Sequence, residues 1–392
     1  MGLYIHVPFC KTKCPYCDFN TYQGIEGQMG GYLEAVTTEL RLWGDALEHP
    51  QVRTVFFGGG TPSYLPDGDI AAILGAASDA FRIDAGAEIT IEANPGDLDD
   101  AACRGLRRQG VNRLSIGVQS LDNGLLQLLG RRHTADGAIA AFQTARQAGF
   151  DNVNLDLMYG LPNQDLGQWQ DAITGLVALA PEHISLYALT LEEGTPMQLW
   201  ADQGKIPVQD PDMAADMYAM ARDVLAAAGY HHYEISNWAK PGLQSQHNLI
   251  YWRNEPYLGV GPGAHSRLGE YRFWTVLAPR DYASRAEEWS QALSSVWASF
   301  GEGELCRSRT VDGWEHIDTE TSCAETMFLG LRLLDGMNLT ASSAAVGRDL
   351  ATRYEAEIRE LLAMGLLLRE GDMIRLDPSA YLIANQVFTR FL

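Results

Sequence analysis

Cys10, Cys14 and Cys17 fall within eight residues, in the run Cys-Lys-Thr-Lys-Cys-Pro-Tyr-Cys, whereas Cys103, Cys306 and Cys323 stand alone. Thiolates are soft ligands that select zinc, copper(I) or iron–sulfur clusters. A structural zinc site wants a fourth protein ligand, and His6 is the nearest candidate, although it falls inside a predicted strand. A cubane cluster takes one cysteine per iron. Three cysteines therefore leave one iron open for a substrate or cofactor. The spacing predicts a [4Fe–4S] cluster on Cys10, Cys14 and Cys17, with zinc as the alternative. The three isolated cysteines read as small buried hydrophobes or bystanders.

Further candidate groups follow strand-like segments. Gly58-Gly59-Gly60-Thr61-Pro62-Ser63 comes straight after a β-branched and aromatic run. Its glycines let backbone approach a ligand closely, and Thr61 can cap the next helix. Glu92 precedes Asn94-Pro95. It can accept hydrogen bonds from a ribose or an ammonium, or simply lie in a helix-entry turn. Gln119 ends the run Ser115-Ile-Gly-Val-Gln, and Arg131 follows in Leu129-Gly-Arg-Arg-His133. Asp156 sits among apolar strand residues, where burial is costly without a partner. Arg131 is the partner expected for it.

These groups need a scaffold that brings them to one place. Strands are predicted at Leu3–Val7, Arg53–Phe57, Glu88–Ala93, Arg113–Val118, Val153–Tyr159 and His183–Leu189. Amphipathic helical patterns lie between them, at Gly31–Trp43, Gly68–Phe81, Leu98–Gln109, Ala135–Ala148 and Leu166–Leu179. Strand-then-helix, repeated six times, argues for a parallel sheet curled into a partial barrel, with functional groups at the C-terminal strand ends. Residues 266–309 look irregular and are expected to link or flank the barrel. From Glu320 the pattern is helical, then a hairpin over Leu366–Glu370 and Met373–Leu376, then a helix from Pro378, as in winged-helix units. The expected organisation is residues 1–265 for the barrel, 266–318 for the flanking region and 319–392 for the C-terminal domain.

Composition narrows the partners. The 392-residue chain carries a formal charge of −21, from 29 basic and 50 acidic residues. Such a field repels phosphate backbones, so nucleic acid is not an expected partner. Residues 319–392, with seven basic and ten acidic side chains, suit a structural or partner-docking role better than DNA binding. No apolar run is long enough for a membrane span, and the start of the chain lacks the basic region of a secretory signal. A cytoplasmic protein is expected, in a compartment where disulfides are improbable.

Cys-x3-Cys-x2-Cys on a loop after the first strand of a partial barrel resembles the radical SAM superfamily. The resemblance implies that the open iron is chelated by the amino and carboxylate groups of S-adenosylmethionine. An electron from the cluster then cleaves the sulfonium to a 5′-deoxyadenosyl radical. Tyr16 resembles the aromatic position near the adenine, although a loop aromatic covering the core would look the same. The glycine turn resembles the contact with the methionine moiety. Order and spacing from Tyr4 to about His265 are similar to the coproporphyrinogen-oxidase-like branch, and the match is faint after residue 320. That likeness implies a cofactor site lined by Tyr4, Tyr16, Gly59, Gly60, Thr61, Glu92, Gln119, Arg131 and Asp156. The fold it implies is an α/β radical SAM partial (β/α)6 barrel with a C-terminal helical, winged-helix-like domain.

Two subfamilies of that branch share these motifs: the oxygen-independent coproporphyrinogen III dehydrogenase, and the HemW subfamily of heme chaperones. The enzyme carries another cysteine two residues past the last ligand, where this chain has Phe19. It also has an N-terminal extension before the cluster, for which nine residues leave no room. His247-Asn248-Leu-Ile-Tyr251-Trp252 resembles the heme motif of the chaperones. An imidazole can ligate heme iron, and Tyr251 and Trp252 offer flat apolar surface; His247 can equally be a hydrogen-bonded packing residue. The Cys-Arg pair often found before His-Asn is replaced here by Ser245-Gln246. The expectation is a heme chaperone that uses the cluster, S-adenosylmethionine and heme, and the alternative is the oxidase. Its expected partners are heme-accepting proteins, peripheral contact with a membrane-bound acceptor included, and an electron donor for the cluster.

Overall fold

The first strand reads Gly-Leu-Tyr-Ile-His-Val, and its alternation divides the molecule into an apolar outside and a polar inside. Leu3, Ile5 and Val7 are wholly buried and join one core with Val36, Leu40 and Trp43 of the following helix. Tyr4 and His6 project to the other face, as period-two side chains must. The computed structural model describes residues 1–66, 68–208, 210–292 and 300–392.

Strands β1 (Gly2–Val7), β2 (Gln51–Gly59), β3 (Arg82–Ala93), β4 (Arg113–Gln119), β5 (Val153–Tyr159) and β6 (His183–Ala188) pair in parallel and in sequence order. Helices α1 (Met29–Ala46), α2 (Asp69–Ala80), α3 (Asp100–Arg108), α4 (Asn123–Leu128), α5 (Ala135–Gln147) and α6 (Leu166–Leu179) form the crossovers. Their starts follow capping chemistry. Asp99, Asp122 and Thr134 each accept a hydrogen bond from a first-turn amide, and Asp165 with Gln168 forms a reciprocal capping box. This is the α/β partial barrel that the strand–helix alternation predicts.

Beyond β6 come α7 (Pro196–Asp202), α8 (Pro211–Ala227), β7 (His231–Glu234), β8 (Asn237–Ala239) and α9 (Gln246–Trp252). β8 and β7 extend the sheet past β6, antiparallel. On the opposite side β9 (Tyr257–Val260) runs parallel to β1. It is followed outward by β10 (His265–Leu268), β11 (Tyr271–Thr275) and β12 (Val311–His316), each antiparallel to its neighbour.

Residues 266–309, expected to be irregular, are therefore mostly regular. They hold most of β10, all of β11, and helices α10 (Pro279–Ala292) and α11 (Glu302–Arg307). The strands are too short and too interrupted by turns for periodicity to reveal, and their pairing partner lies in the barrel. Residues 293–299 of the expected linker lie outside the described residues.

The C-terminal unit has a separate core that includes Leu339, Leu350, Ile358, Leu361, Ile374 and Leu376. It comprises α12 (Thr319–Gly330), β13 (Met337–Asn338), α13 (Leu339–Val346), α14 (Leu350–Arg353), α15 (Glu355–Ala363), β14 (Leu367–Glu370) and β15 (Met373–Leu376). The hairpin turns at Gly371, whose φ of 63° glycine supplies without strain. A six-residue 3-10 turn from Pro378 precedes the last α-helix, Ala384–Phe388.

One buried carboxylate ties the outer strands to the barrel. Glu39 of α1 accepts hydrogen bonds from Thr310 Oγ1 at 2.6 Å, Tyr282 Oη at 2.5 Å and the Gly261 amide at 2.9 Å. Burial raises its pKa, and these donors oppose the shift. Replacing Glu39 by alanine strands three buried donors, and we expect a loss of about 3 kcal/mol or more in stability. Urea unfolding of wild type and Glu39→Ala measures it, and a loss below about 1 kcal/mol would refute this anchoring role.

Candidate functional site

The cluster loop leaves the end of β1 and is closed on itself by backbone pairing. The Cys10 amide donates to Tyr22 O at 2.9 Å and the Tyr22 amide to Pro8 O at 2.8 Å. Lys13 Nζ bridges the carbonyls of Phe19 and Thr21 at 3.2 and 3.1 Å. Cys10 is buried, Cys14 and Cys17 are half-buried, and none is in a disulfide. All three thiols line one cavity of about 470 Å³. Thr61 Oγ1 donates to Cys10 Sγ at 3.4 Å, and Arg131 Nη1 to Cys14 Sγ at 3.6 Å. Burial raises the pKa of Cys10 and of Cys17.

His6, the candidate fourth zinc ligand, has both nitrogens engaged. Nε2 meets the Asn20 carbonyl at 3.0 Å and Nδ1 meets the Tyr4 hydroxyl at 3.0 Å. A carbonyl only accepts, so Nε2 carries the proton and Nδ1 accepts from Tyr4. Burial lowers the pKa of this imidazole.

The cavity is walled by the cluster loop after β1 and by residues of β2 to β6. Every residue expected in the cofactor site lines it except Tyr4. The Tyr4 ring is stacked with Phe56, which does line the cavity. The glycine turn is required by the chain's own packing. A Cβ on Gly59 would lie 2.4 Å from the His6 ring, and one on Gly60 would lie 2.7 Å from two carbonyls of β1 and the cluster loop. Thr61 does not cap the next turn with its side chain; its hydroxyl is spent on Cys10.

Glu92 accepts from the Gly59 amide at 3.1 Å. Burial, reinforced by the nearby Asp156 carboxylate, pushes its pKa up to about 7. Gln119 closes β4 at a register shift with φ of 68°, outside the regions that ordinary residues favour. Its Oε1 is buried without a hydrogen-bond partner, as is Arg131 Nε. Arg131 does not pair with Asp156 as the sequence suggested. Its Nη2 donates to Gly117 O at 2.7 Å while Nη1 reaches the cluster loop, beside which Gly130, at φ 67°, leaves no room for a Cβ against Pro15. Asp156 is satisfied instead by Asn154 Nδ2 at 2.7 Å and Ser115 Oγ at 3.4 Å.

A buried chain of hydrogen bonds continues beneath Asp156, and sequence reasoning missed it. His183 Nδ1 donates to Asn154 Oδ1 at 2.7 Å, and His183 Nε2 accepts from Tyr233 Oη at 2.8 Å. Arg113, only 2% exposed, lines the same cavity 4.0 Å from Glu88. The signal was available: Arg113, Ser115, Gly117 and Gln119, and likewise His183, Ser185 and Tyr187, are the non-aliphatic positions of strands otherwise built from Leu, Ile, Val and Ala. On a strand buried on both faces, such a row marks the inside of the barrel.

The residues of the expected heme motif lie on α9, away from the cavity lining apart from Asn248. The first amides of α9, from Gln246 and His247, donate to Glu88 at 3.0 Å each. His247 is 1% exposed, with Nδ1 on Thr54 Oγ1 at 2.8 Å and Nε2 on Tyr251 Oη at 2.9 Å. Burial, with Arg113 nearby, lowers its pKa to about 3. Trp252 lies under the Arg332 guanidinium, 4.2 Å from ring centre to carbon, at the contact with the C-terminal unit.

Three thiols on a loop after β1, a glycine turn at the end of β2 and carboxylates on β3 and β5 gather at one cavity, the arrangement that a radical SAM protein requires. The Radical SAM superfamily model matches residues 4–174, and the HemN C-terminal domain model matches residues 317–383. The heme chaperone HemW of Synechocystis is 38% identical over 98% of this chain and 95% of its own length. That of Bacillus subtilis is 34% identical over 99% and 98%. The chain belongs to the coproporphyrinogen III oxidase-like family of radical SAM proteins, in its HemW subfamily. Coproporphyrinogen III oxidase (HemN) of Escherichia coli has the same fold, with a TM-score of 0.82 at 22% identity, covering 100% of this chain and 89% of that one. Among the described residues no helix is long and apolar enough to cross a membrane.

The family implies a [4Fe–4S] cluster and S-adenosylmethionine, and the residues present fit both. Three thiols face a cavity of suitable size, and the unpaired Gln119 Oε1 and Arg131 Nε of its lining have hydrogen bonds to offer a ligand. Ionised Glu92 favours a cationic ligand, and near pH 7 its protonation is poised. We expect the affinity of the cluster-loaded protein for S-adenosylmethionine to fall as pH drops below about 7, by up to tenfold per unit. Isothermal titration at pH 6, 7 and 8 reads this, and Glu92→Gln is expected to flatten the profile. An unchanged profile in the variant would remove Glu92 from the cause.

Proposed function

We propose that this protein is a cytoplasmic heme chaperone, which takes up heme and delivers it to acceptor proteins, with a radical SAM centre in its barrel. The observation that carries the reading is end-to-end similarity, through barrel and C-terminal unit alike, to proteins curated as heme chaperones. Phe19 supports it, because it stands 64% exposed on the cluster loop where the related oxidase is expected to hold a thiol. An exposed phenyl suits an apolar macrocycle and cannot donate a hydrogen atom or ligate a metal.

Within this reading Cys10, Cys14 and Cys17 hold the cluster, which when bound supplies the electron that cleaves the sulfonium of S-adenosylmethionine. Thr61 and Arg131 donate hydrogen bonds to two of the thiol sulfurs, which stabilises them as thiolates. Gln119, Glu92 and Asp156 offer acceptors for the amino and ribose groups of the cofactor. Arg131, with Nε free, offers a donor to its carboxylate. The cluster needs a reductant, so an electron donor is one partner. Heme-accepting proteins, soluble or reached by peripheral contact with a membrane, are the others.

A complete acid-lined cavity also suits a second reading, radical decarboxylation of porphyrinogen propionates. Anaerobic incubation of cluster-loaded protein with S-adenosylmethionine, reductant and coproporphyrinogen III separates the two. We expect 5′-deoxyadenosine without protoporphyrinogen, and hemin uptake by the same preparation. Protoporphyrinogen formed over many turnovers would make the protein an oxidase.

A further inference from the structure

The nine histidines of the chain differ in one respect that bears on where heme can sit. Eight have a ring nitrogen in a hydrogen bond or ion pair: His6 and His247 as above, His49 with Ala80 O, His133 with Val118 O and His183 with Asn154. His231 meets Asp335, His232 meets Ile235 O and His316 meets Glu270. His265 has no such partner among the described residues, and its side chain is exposed.

Its surroundings are flat and aromatic. His265 and Trp274 face each other across β10 and β11, with ring centres 5.8 Å apart and planes inclined by 29°. Trp274 can lie down on β12 because its partner there is Gly313, where a Cβ would come within 2.5 Å of the indole. Register places this pair on the face of the sheet that carries Tyr4, since Tyr4 pairs with Gly259, and Arg267 pairs with Tyr257 two residues before it. β9 runs with β1 and β10 against it, so His265 stands at the end of the sheet where the cluster loop emerges.

That end also carries exposed apolar side chains. Asn20 Nδ2 donates at 2.9 Å to the carbonyls of Pro262 and Leu277, which brings the cluster loop to both flanks of the β10–β11 hairpin. Phe19, next in sequence to Asn20, is 64% exposed and Leu277 is 57% exposed. Exposed apolar side chains at the same end of the sheet as an unengaged imidazole suit an apolar macrocycle whose iron takes a histidine ligand. His247, by contrast, would have to give up a buried hydrogen bond at either nitrogen before that nitrogen could reach iron.

We propose that heme binds at this end of the sheet, its iron ligated by His265, its edge against the Trp274 indole and its periphery toward the exposed Phe19 and Leu277. The inference rests on the heme-chaperone reading. Partial burial, with Arg272 nearby, lowers the pKa of His265, so the ring is neutral and able to ligate at pH 7. Ligation forms an iron–nitrogen bond from the imidazole lone pair and displaces only a water or chloride from hemin, with no change of oxidation state.

The test is a hemin titration of the full-length protein, wild type against His265→Ala, Trp274→Ala and His247→Ala, followed by absorbance and electron paramagnetic resonance. We expect His265→Ala to weaken hemin binding by about tenfold or more and to lose the low-spin imidazole signature. Free imidazole should restore that signature, and S-adenosylmethionine affinity should stay at the wild-type value. Trp274→Ala should weaken binding while keeping the signature. A wild type that takes up no hemin would overturn the heme reading and this site together. A wild type that binds hemin, with His265→Ala indistinguishable from it, would overturn the site alone. Loss confined to a correctly folded His247→Ala would then assign the heme to α9.

Discussion

A parallel barrel that binds a charged cofactor must keep polar groups inside, and every one of them has to be matched. That constraint shapes this molecule more than any single contact. Asp156 is met by Asn154 and Ser115, Asn154 by His183, and His183 by Tyr233. Glu88 is met by the first amides of α9, and Thr54 by His247. Leaving any such group unpaired in the interior costs about 1–3 kcal/mol, more if it is charged. The exceptions are informative: among the described residues, the buried atoms without hydrogen-bond partners in the cavity lining include Thr21 Oγ1, Arg113 Nε, Gln119 Oε1 and Arg131 Nε, and a ligand in the cavity can satisfy such groups.

The same constraint explains what the sequence shows and what it hides. The six parallel strands were legible because their outward residues are aliphatic and their spacing leaves room for crossover helices. The three thiols, the glycine turn and both carboxylates were legible by type and position at strand ends. Partner choice was not. Arg131 and Asp156 attract each other in any list of residues, yet the guanidinium reaches Gly117 O and Cys14 instead. Thr61 looks like a helix cap, but a thiol lies within its reach. Strands β10 to β12 were hidden because each is only four to six residues long, and their pairing is set by register with distant segments.

The segment that resembles a heme motif has a clear structural part to play. α9 closes the barrel from below, with Gly2 thin enough to admit Ile250 and His247 against β1. Trp252 on its far end receives Arg332, while the Leu334 amide donates to Tyr233 O at 3.0 Å. The C-terminal unit thus touches both the plug helix and the strand whose tyrosine supports His183. Removal of that unit would expose Trp252 and release one support of the chain that leads to Asp156.

The stitch between Asn20 and the carbonyls of Pro262 and Leu277 spans 242 and 257 positions of sequence. Contacts of such separation form late, since loop closure is costly and the distant partner must first exist. A growing chain offers its cysteines well before the β10–β11 hairpin that clamps their loop has emerged. The outer fastening of the cluster loop is therefore tied to completion of the sheet. Until then the loop holds only its own local hydrogen bonds, such as those of the Cys10 and Tyr22 amides.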